Sequence, residues 1–229
     1  MKNFFKIIII AAFGVMLYPL FDSFSGNGQL NDLASFYAQK ENVEKVNSAN
    51  LVTAVVVTYR GLDTLGEVTI LFLTAAIIAF FLTKQSEVRT LRRNSEIFQT
   101  AARLLIPVII MVGVYIFING HLSPGGGFQG GAVIASAVIL MLLAFPNMPF
   151  NSKLFGLIES TSGLVFVGIA FLGVLIGTGF LDNAILPLGT FGELLSAGTI
   201  PIIYSFVGLK VGAELSNIIS GLQSVQADN

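Results

Sequence analysis

The 229-residue sequence contains no cysteine and a single histidine, His121. Without cysteine the chain can form no disulfide, no thiolate zinc site and no cysteine-ligated iron–sulfur cluster. One histidine is too few for a multi-histidine metal site or for a haem held by two histidines. No cofactor is therefore predicted, and any redox chemistry associated with this chain must reside on partner proteins.

Charged residues are also scarce. They make up 11% of the sequence, hydrophobic residues make up 54%, and the mean hydropathy is +0.83. A soluble protein has about 25% charged residues. The formal net charge of −1 gives no reason to expect nucleic acid as a partner. This composition predicts an all-α, polytopic protein that lies in a lipid bilayer.

Six apolar stretches are predicted as transmembrane helices, at residues 4–21, 62–82, 101–119, 132–145, 156–181 and 197–219. A short interfacial or re-entrant helix that ends near Arg60 is predicted before the second span. The stretch 84–103 is basic, and basic loops stay on the cytoplasmic side. Six spans in this orientation place both termini in the cytoplasm. Lys2 and Lys6 also suit a signal peptide, but no small-x-small cleavage site follows the first run, which favours an uncleaved span.

Three charged residues, Arg60, Asp63 and Glu67, open the second span at helical spacings that place them on one face. Two carboxylates one turn apart push their proton affinities apart, which suits proton or sodium handling. Acidic residues near a helix N-terminus are equally well explained by the helix dipole, with Arg60 neutralising them. Sequence physics alone leaves both interpretations open.

The sixth span contains Lys210 past its middle and Glu214 one turn later. A lysine at that depth costs roughly 2.5–3.5 kcal/mol on insertion scales. An ion pair with Glu214 would reduce this cost, and snorkelling to the interface is the alternative. Because a lysine so deep in a membrane usually faces a partner or a hydrated path, both residues are candidates for an ion path.

A glycine-rich segment, residues 120–131 with the sequence GHLSPGGGFQGG, lies between two apolar runs and contains His121. Its glycines allow unusual backbone conformations and close approach, which is the geometric interpretation. The alternative is that it lines a polar entrance with backbone groups. It lacks the Lys-Ser/Thr of a P-loop and follows no strand, so it is a poor nucleotide cradle. A lone histidine in a loop gives no catalytic centre.

Small residues at four-residue spacing follow this segment, namely Gly127, Gly131 and Ala135. Such a spacing places the small side chains on one helix face. In membranes, faces of this kind let two helices approach closely. The spacing therefore predicts a packing seam on the fourth span.

The segment GHLSPGGGFQGG and the apolar helix after it resemble the motif of the MnhB-type subunit of Mrp-type multi-subunit sodium/proton antiporters. They also resemble the matching subunit of energy-converting membrane-bound hydrogenases. The resemblance covers the chain from about Arg103 to its end. It implies a component of a cell-membrane complex that assembles with other Mrp-type or hydrogenase-type membrane subunits and serves Na⁺ and H⁺ transport.

Residues 58–67, TYRGLDTLGE, resemble the signature at the C-terminal end of the large Mrp antiporter subunit. In membrane-bound hydrogenases the corresponding unit is a separate small protein. The family usually has an acidic residue where this chain has Thr58, so any role of that carboxylate is in doubt here. The family glutamate belongs to the ion path, which favours a functional role for Glu67. The resemblances divide the chain into a unit similar to the end of the large subunit (1–84), a basic linker (85–103) and an MnhB-like domain (104–229).

The leading hypothesis is a subunit of a cation/proton antiporter module. The alternative is a membrane-arm subunit of a redox-driven ion pump such as a membrane-bound hydrogenase. With no catalytic centre in the chain, its connection to an enzyme depends on the complex that it joins. The candidate ion-path residues are Arg60, Asp63, Glu67, His121, Lys210 and Glu214.

Overall fold

A computed structural model of the chain describes residues 2–22, 30–39, 44–82 and 94–226. Within these segments every regular element is a helix, as the composition predicts. The first half of the predicted basic cytoplasmic loop, residues 84–93, lies outside the described residues.

The segment before the second span consists of a single α-helical turn that continues as a π-helix, and a 3₁₀ turn precedes the last helix. The bounds are α1 Lys2–Asp22, α2 Asp32–Ala38, the turn Leu51–Thr53 with the π-helix Ala54–Tyr59, α3 Gly61–Phe81, α4 Glu96–Ile118, α5 Gly127–Ala144, α6 Ser152–Ile176, the 3₁₀ turn Asn183–Ile185 and α7 Ile200–Gln226.

Five of the described helices, α3 to α7, are long and apolar enough to cross a membrane. They make the chain a multi-pass membrane protein. The first of the six predicted spans corresponds to α1, whose apolar run Phe4–Pro19 is shorter than the other five. The cytoplasmic position of both termini stays a prediction.

Contacts divide the chain into two compact units, residues 1–36 and residues 37–229. The first unit contains α1 and the start of α2, where the Asn31 side chain accepts a hydrogen bond from the Ala34 amide at 2.7 Å. Such an N-cap satisfies a backbone donor at the helix start. The second unit contains the five spanning helices.

Helix α7 is the centre of the second unit. It packs against α3, α4, α5 and α6, and 56% of its most apolar window is buried, against 11–44% in the other four spanning helices. Its buried side chains include Ile203, Val207 and Val211, which form one core with Phe166 of α6. Polar side chains on α7 are therefore enclosed by protein to a greater degree than those on its neighbours.

The predicted small-residue seam on α5 is present. A methyl group added at Gly131 would lie 2.7 Å from the carbonyl oxygen of Gly208, and one added at Gly127 would lie 2.7 Å from Val207. Both distances are too short for real carbon atoms, so these positions accept only glycine without a shift of α7. The seam thus sets how closely α5 approaches the central helix.

The fifth span was predicted at residues 156–181, whereas α6 covers Ser152–Ile176. It begins earlier because the Asn151 side chain caps it, accepting a hydrogen bond from the Leu154 amide at 3.1 Å. It ends earlier because the Asp182 carboxylate accepts hydrogen bonds from both the amide and the hydroxyl of Thr178, at 2.7 and 2.8 Å. These bonds fold residues 177–182 into a turn instead of helix.

Candidate functional site

Polar side chains from two helices and an aromatic ring from a third meet beside α7. On α7, Lys210, Glu214 and Asn217 follow one another at spacings that place them on one face. That face looks toward α6, which contributes Glu159, and toward α3, which contributes Phe72. We call these five residues the α7 polar cluster.

Lys210 and Glu214 form a buried ion pair. The Lys210 ammonium donates to Glu214 Oε2 at 3.0 Å, and the two residues are 7% and 0% exposed. The pair expected from the one-turn spacing is therefore present, and it forms within the chain. Two charges withdrawn from water need each other, because a single one left behind would be strongly unfavourable.

Lys210 also contacts residues of both neighbouring helices, α3 and α6. Its Nζ lies 5.2 Å from the centre of the Phe72 ring, within the range of a cation–π contact. On the other side its aliphatic stem lies against Gly163 of α6, where an added methyl group would be 3.5 Å from Lys210 Cε. The ammonium is thus held between an aromatic face and its carboxylate partner.

Glu159 of α6 and Asn217 of α7 extend the cluster along the helix axis. The Asn217 amide donates to Glu159 Oε2 at 3.3 Å, and Glu159 and Glu214 line a common cavity. Glu214 Oε1 and Asn217 Oδ1 are buried and make no hydrogen bond with any described residue. Sequence analysis missed Glu159, Asn217 and Phe72, because their partners lie on other helices.

Two cavities lie one after the other along α3, with Phe72 and Glu159 lining both. The smaller, of about 310 Å³, is lined by Lys210 and by α3 residues that precede Phe72. The larger, of about 460 Å³, is lined by Glu214, Asn217 and α3 residues that follow Phe72. Each member of the ion pair therefore lines one of two spaces, and each space is large enough for several water molecules.

The predicted acidic face at the start of α3 lies apart from this cluster. Arg60 and Asp63 form an ion pair of 2.5 Å in which both side chains are more than half exposed. Glu67, one turn further along, is also exposed. None of the three residues lines either of the two cavities. They lie on the surface of the described chain, where they face lipid, solvent or a neighbouring subunit.

His121 is fully buried in the loop between α4 and α5. Its Nε2 lies 3.3 Å from the carbonyl oxygen of Glu193 and must donate to it. Burial lowers the pKa of His121 below its ordinary value of 6.5, although backbone carbonyls, including that of Glu193, act in the opposite direction. The imidazole is therefore neutral at pH 7, and it lines neither of the two cavities.

The glycine-rich loop is held by three polar residues that precede α3, which we call the polar clamp. Ser48 Oγ donates to the carbonyl of His121 at 3.0 Å, and Thr53 Oγ1 donates to that of Gly120 at 2.7 Å. Asn50 donates its side-chain amide to the carbonyl of Gly120 and its backbone amide to that of His121, both at 2.9 Å. These bonds occupy the loop carbonyls within the protein and support the geometric interpretation of the loop.

The α7 polar cluster contains an ammonium group and two carboxylates, and such groups can bind protons or small cations. Lys210 and Glu214 can exchange a proton with each other. Glu159 is a second carboxylate that could replace Glu214 as the partner of Lys210. Among the described residues there is no group of three or more histidine, cysteine or acidic side chains that could hold a metal ion. The cluster therefore suits protons or weakly held cations better than a resident transition metal.

Comparison with known proteins gives matches over most of the chain. Residues 97–217 match a model described as a domain related to the MnhB subunit of Na⁺/H⁺ antiporter. An uncharacterised protein of Methanocaldococcus jannaschii is 32% identical over 196 residues, which are 73% of this chain and 74% of that protein. A Staphylococcus aureus protein named as antiporter subunit mnhB2 is 30% identical over 140 residues, 55% of this chain and 96% of its own length.

Solved structures share the fold. A chain of the membrane-bound sulfane sulfur reductase, an archaeal respiratory membrane complex, is 40% identical with a TM-score of 0.81, covering 95% of this chain and 97% of that one. A chain of the Mrp complex from Dietzia sp. DQ12-45-1b is 21% identical with a TM-score of 0.73, and the match covers 96% of this chain but 26% of that longer one. These relatives are parts of multi-subunit membrane complexes, which supports other membrane subunits as partners.

Proposed function

Because the chain belongs to the family of domains related to the MnhB subunit of Na⁺/H⁺ antiporters, we propose that it is a membrane subunit of a cation/proton antiporter module. Its partners are other Mrp-type or hydrogenase-type membrane subunits and the lipid bilayer, and the ions are Na⁺ and H⁺. The chain contributes charged side chains to the ion path and has no catalytic role of its own.

The observation that carries this proposal is the buried ion pair of Lys210 and Glu214 beside two cavities. A charged pair inside a transmembrane helix is costly, and such residues usually mark ion or proton pathways. One cavity is lined by Lys210 and the other by Glu214, so space for water or ions lies beside each member of the pair. A pair that served packing alone would need no such space.

A transfer step follows from the geometry. When a proton reaches Glu214, its attraction for the Lys210 ammonium is lost. The flexible four-carbon stem of lysine then lets the ammonium turn toward Glu159, the other carboxylate beside the cavities. The proton on Glu214 then passes to Glu159, which lines both cavities, and the ammonium returns to Glu214. Loss of the proton from Glu159 to the smaller cavity completes the cycle, so each cycle moves one proton past Phe72.

The proposed path begins near the start of α3. Arg60, Asp63 and Glu67 are exposed there, where a neighbouring subunit can complete their surroundings. His121 belongs to the same end of the bundle as a neutral group that fixes the glycine-rich loop. Lys210 and Glu214 form the inner part of the path.

One observation favours a second candidate function. The similarity to a chain of the sulfane sulfur reductase complex extends over nearly the full length of both chains at 40% identity. The same module would then form part of the membrane arm of a redox-driven ion pump, with the redox centres on other subunits. The residues of the ion path are the same in both cases.

Mass spectrometry of the intact complex, extracted in mild detergent through a C-terminal tag on this chain, tests the proposal. Antiporter subunits without iron–sulfur or nickel–iron proteins would support the antiporter, and redox subunits would support the second candidate. Recovery of this chain alone would count against its membership of a complex altogether.

A further inference from the structure

Two oxygen atoms of the α7 polar cluster have no partner among the described residues. Glu214 Oε1 and Asn217 Oδ1 are both buried, and Glu214 as a whole is 0% exposed. Both residues line the larger cavity, and so does the Glu159 carboxylate. A buried acceptor without a hydrogen bond is unfavourable, so a cation or a donor bound at this end of the cavity would stabilise both atoms.

The charge around the larger cavity does not balance. Among the described residues, its lining contains two carboxylates, Glu159 and Glu214, and no cation. Within the described part of the chain, the cation that contacts this lining is Lys210, which binds Oε2, the other carboxylate oxygen of Glu214. The α3 residues in the lining, from Phe72 to Leu82, are apolar and do not titrate. With all three groups ionised the cluster has one unpaired negative charge.

The donor atoms indicate which ligand fits. Carboxylate and amide oxygens without nitrogen or sulfur are the ligands of hard cations. A single negative charge is neutralised by a monovalent cation, whereas a divalent cation would leave an excess positive charge inside the membrane, which is costly. A proton on Glu159 or Glu214 would neutralise the same charge.

We propose that the larger cavity is a binding site for a hard monovalent cation of the Na⁺ type, with Glu159, Glu214 Oε1 and Asn217 Oδ1 as its protein ligands. A proton competes with the cation for the site. The proposal of this site rests on the proposed antiport function. It identifies where the antiporter would bind Na⁺, and it explains how Na⁺ and proton movement are coupled, since the cluster holds either Na⁺ or a proton and never both. The binding step itself can be measured without any transport.

The test is protection of the carboxyl groups from dicyclohexylcarbodiimide, which modifies protonated carboxyl groups inside membranes. The purified complex is labelled in NaCl or in choline chloride of equal concentration, and each modified glutamate is quantified by peptide mass spectrometry. We expect NaCl to reduce labelling of Glu159 and Glu214, with a half-protecting concentration that rises as the pH falls. Glu96, exposed in the first turn of α4, is the internal control.

Two substitutions at one position sharpen the test. Asn217→Leu removes a neutral oxygen ligand and should raise the half-protecting NaCl concentration about tenfold, the effect of one lost hydrogen-bond-strength contact. Asn217→Asp adds a carboxylate and should lower it. A residue that only supports the fold would not shift the concentration in opposite directions, and recovery of intact complex shows that each variant assembles.

Equal labelling of Glu159 and Glu214 in the two salts would overturn the inference, and so would an Asn217→Leu complex with unchanged protection. Either result could occur in a complex that exchanges Na⁺ for protons normally, in which case the proposed function stands and the site lies elsewhere. Protection by NaCl in a complex that shows no exchange would uphold the site and contradict the antiport function.

Discussion

At the scale of single residues, Lys210 and Glu214 are stable in the membrane interior only as a pair. Each ion has given up its hydration, and the 3.0 Å contact between them replaces part of it. The aromatic ring of Phe72 supplies a second favourable contact to the ammonium. The two residues therefore depend on each other for stability as well as for function.

Removal of the lysine alone leaves a buried carboxylate without its partner. We expect Lys210→Met to lower the free energy of unfolding by about 3–5 kcal/mol. The double variant Lys210→Met with Glu214→Leu should regain most of this loss while staying inactive in transport. Thermal unfolding of the detergent-solubilised chain measures the first effect; a single variant as stable as the wild type would contradict the importance of the pair.

His121 predicts a pH dependence of stability. Burial lowers its pKa in the folded state below the ordinary value of 6.5, so below pH 6.5 the unfolded chain binds a proton that the folded chain does not. Stability is therefore complete above pH 6.5 and falls as the pH drops toward the folded value. His121→Gln, which keeps an N–H donor and does not titrate, should flatten this part of the unfolding-midpoint profile. Identical profiles for the wild type and His121→Gln would contradict the conclusion that His121 causes this pH dependence.

The residues of the cluster differ in how far sequence could predict them. Lys210 and Glu214 were predictable, because a separation of four on one helix guarantees proximity. Glu159 and Asn217 are 58 positions apart and meet only because α6 packs against α7. Helical periodicity specifies neighbours on one helix, whereas partners across helices depend on the packing geometry of both.

At the scale of helices, the small-residue seam on α5 determines how closely α5 packs against α7. Gly131 faces the backbone of α7, whereas Gly168 on α6 has no atom within 4 Å of the position where a methyl group would lie. The two glycines are therefore a matched pair for the same substitution.

We expect Gly131→Ala to lower the free energy of unfolding by about 1–3 kcal/mol, the usual cost of overpacking. Gly168→Ala should be neutral or slightly stabilising, because alanine favours helix over glycine by about 1 kcal/mol. Thermal unfolding of the two variants side by side measures the difference. Equal effects at both positions would show that the seam does not set the approach of α5 to α7.

The start of α3 shows what periodicity can and cannot predict about elements. The helix break expected near Arg60 is present, between the π-helix that ends at Tyr59 and α3, which begins at Gly61. The absence of a side chain at Gly61 allows Leu181 to contact it directly. Sequence predicted the break from charges inside an apolar run, but not the π-helix, because its extra residue per turn leaves no hydropathy signal.

At the scale of the whole molecule, the segment before α3 joins the loops at one end of the bundle. Besides the polar clamp, Asn183 donates to the carbonyl of Val46 at 3.0 Å, and Tyr204 of α7 donates to Thr53 Oγ1 at 3.2 Å. The TYRGLDTLGE region and the MnhB-like region thus fold together within residues 37–229. The division at residues 84 and 104 concerns relatedness to separate subunits and stays a prediction.

The most direct test of the central claim, that the buried pair is part of the ion path, is NaCl-driven proton movement in everted membrane vesicles that contain the complete complex. The comparison is between wild type, Glu214→Gln and the matched control Glu96→Gln, whose side chain lies exposed at the start of α4. We expect Glu214→Gln to slow proton movement at least about tenfold per amount of assembled complex, a barrier increase of about 1.4 kcal/mol or more, and the control to match wild type. Wild-type rates in the Glu214→Gln vesicles would contradict the claim.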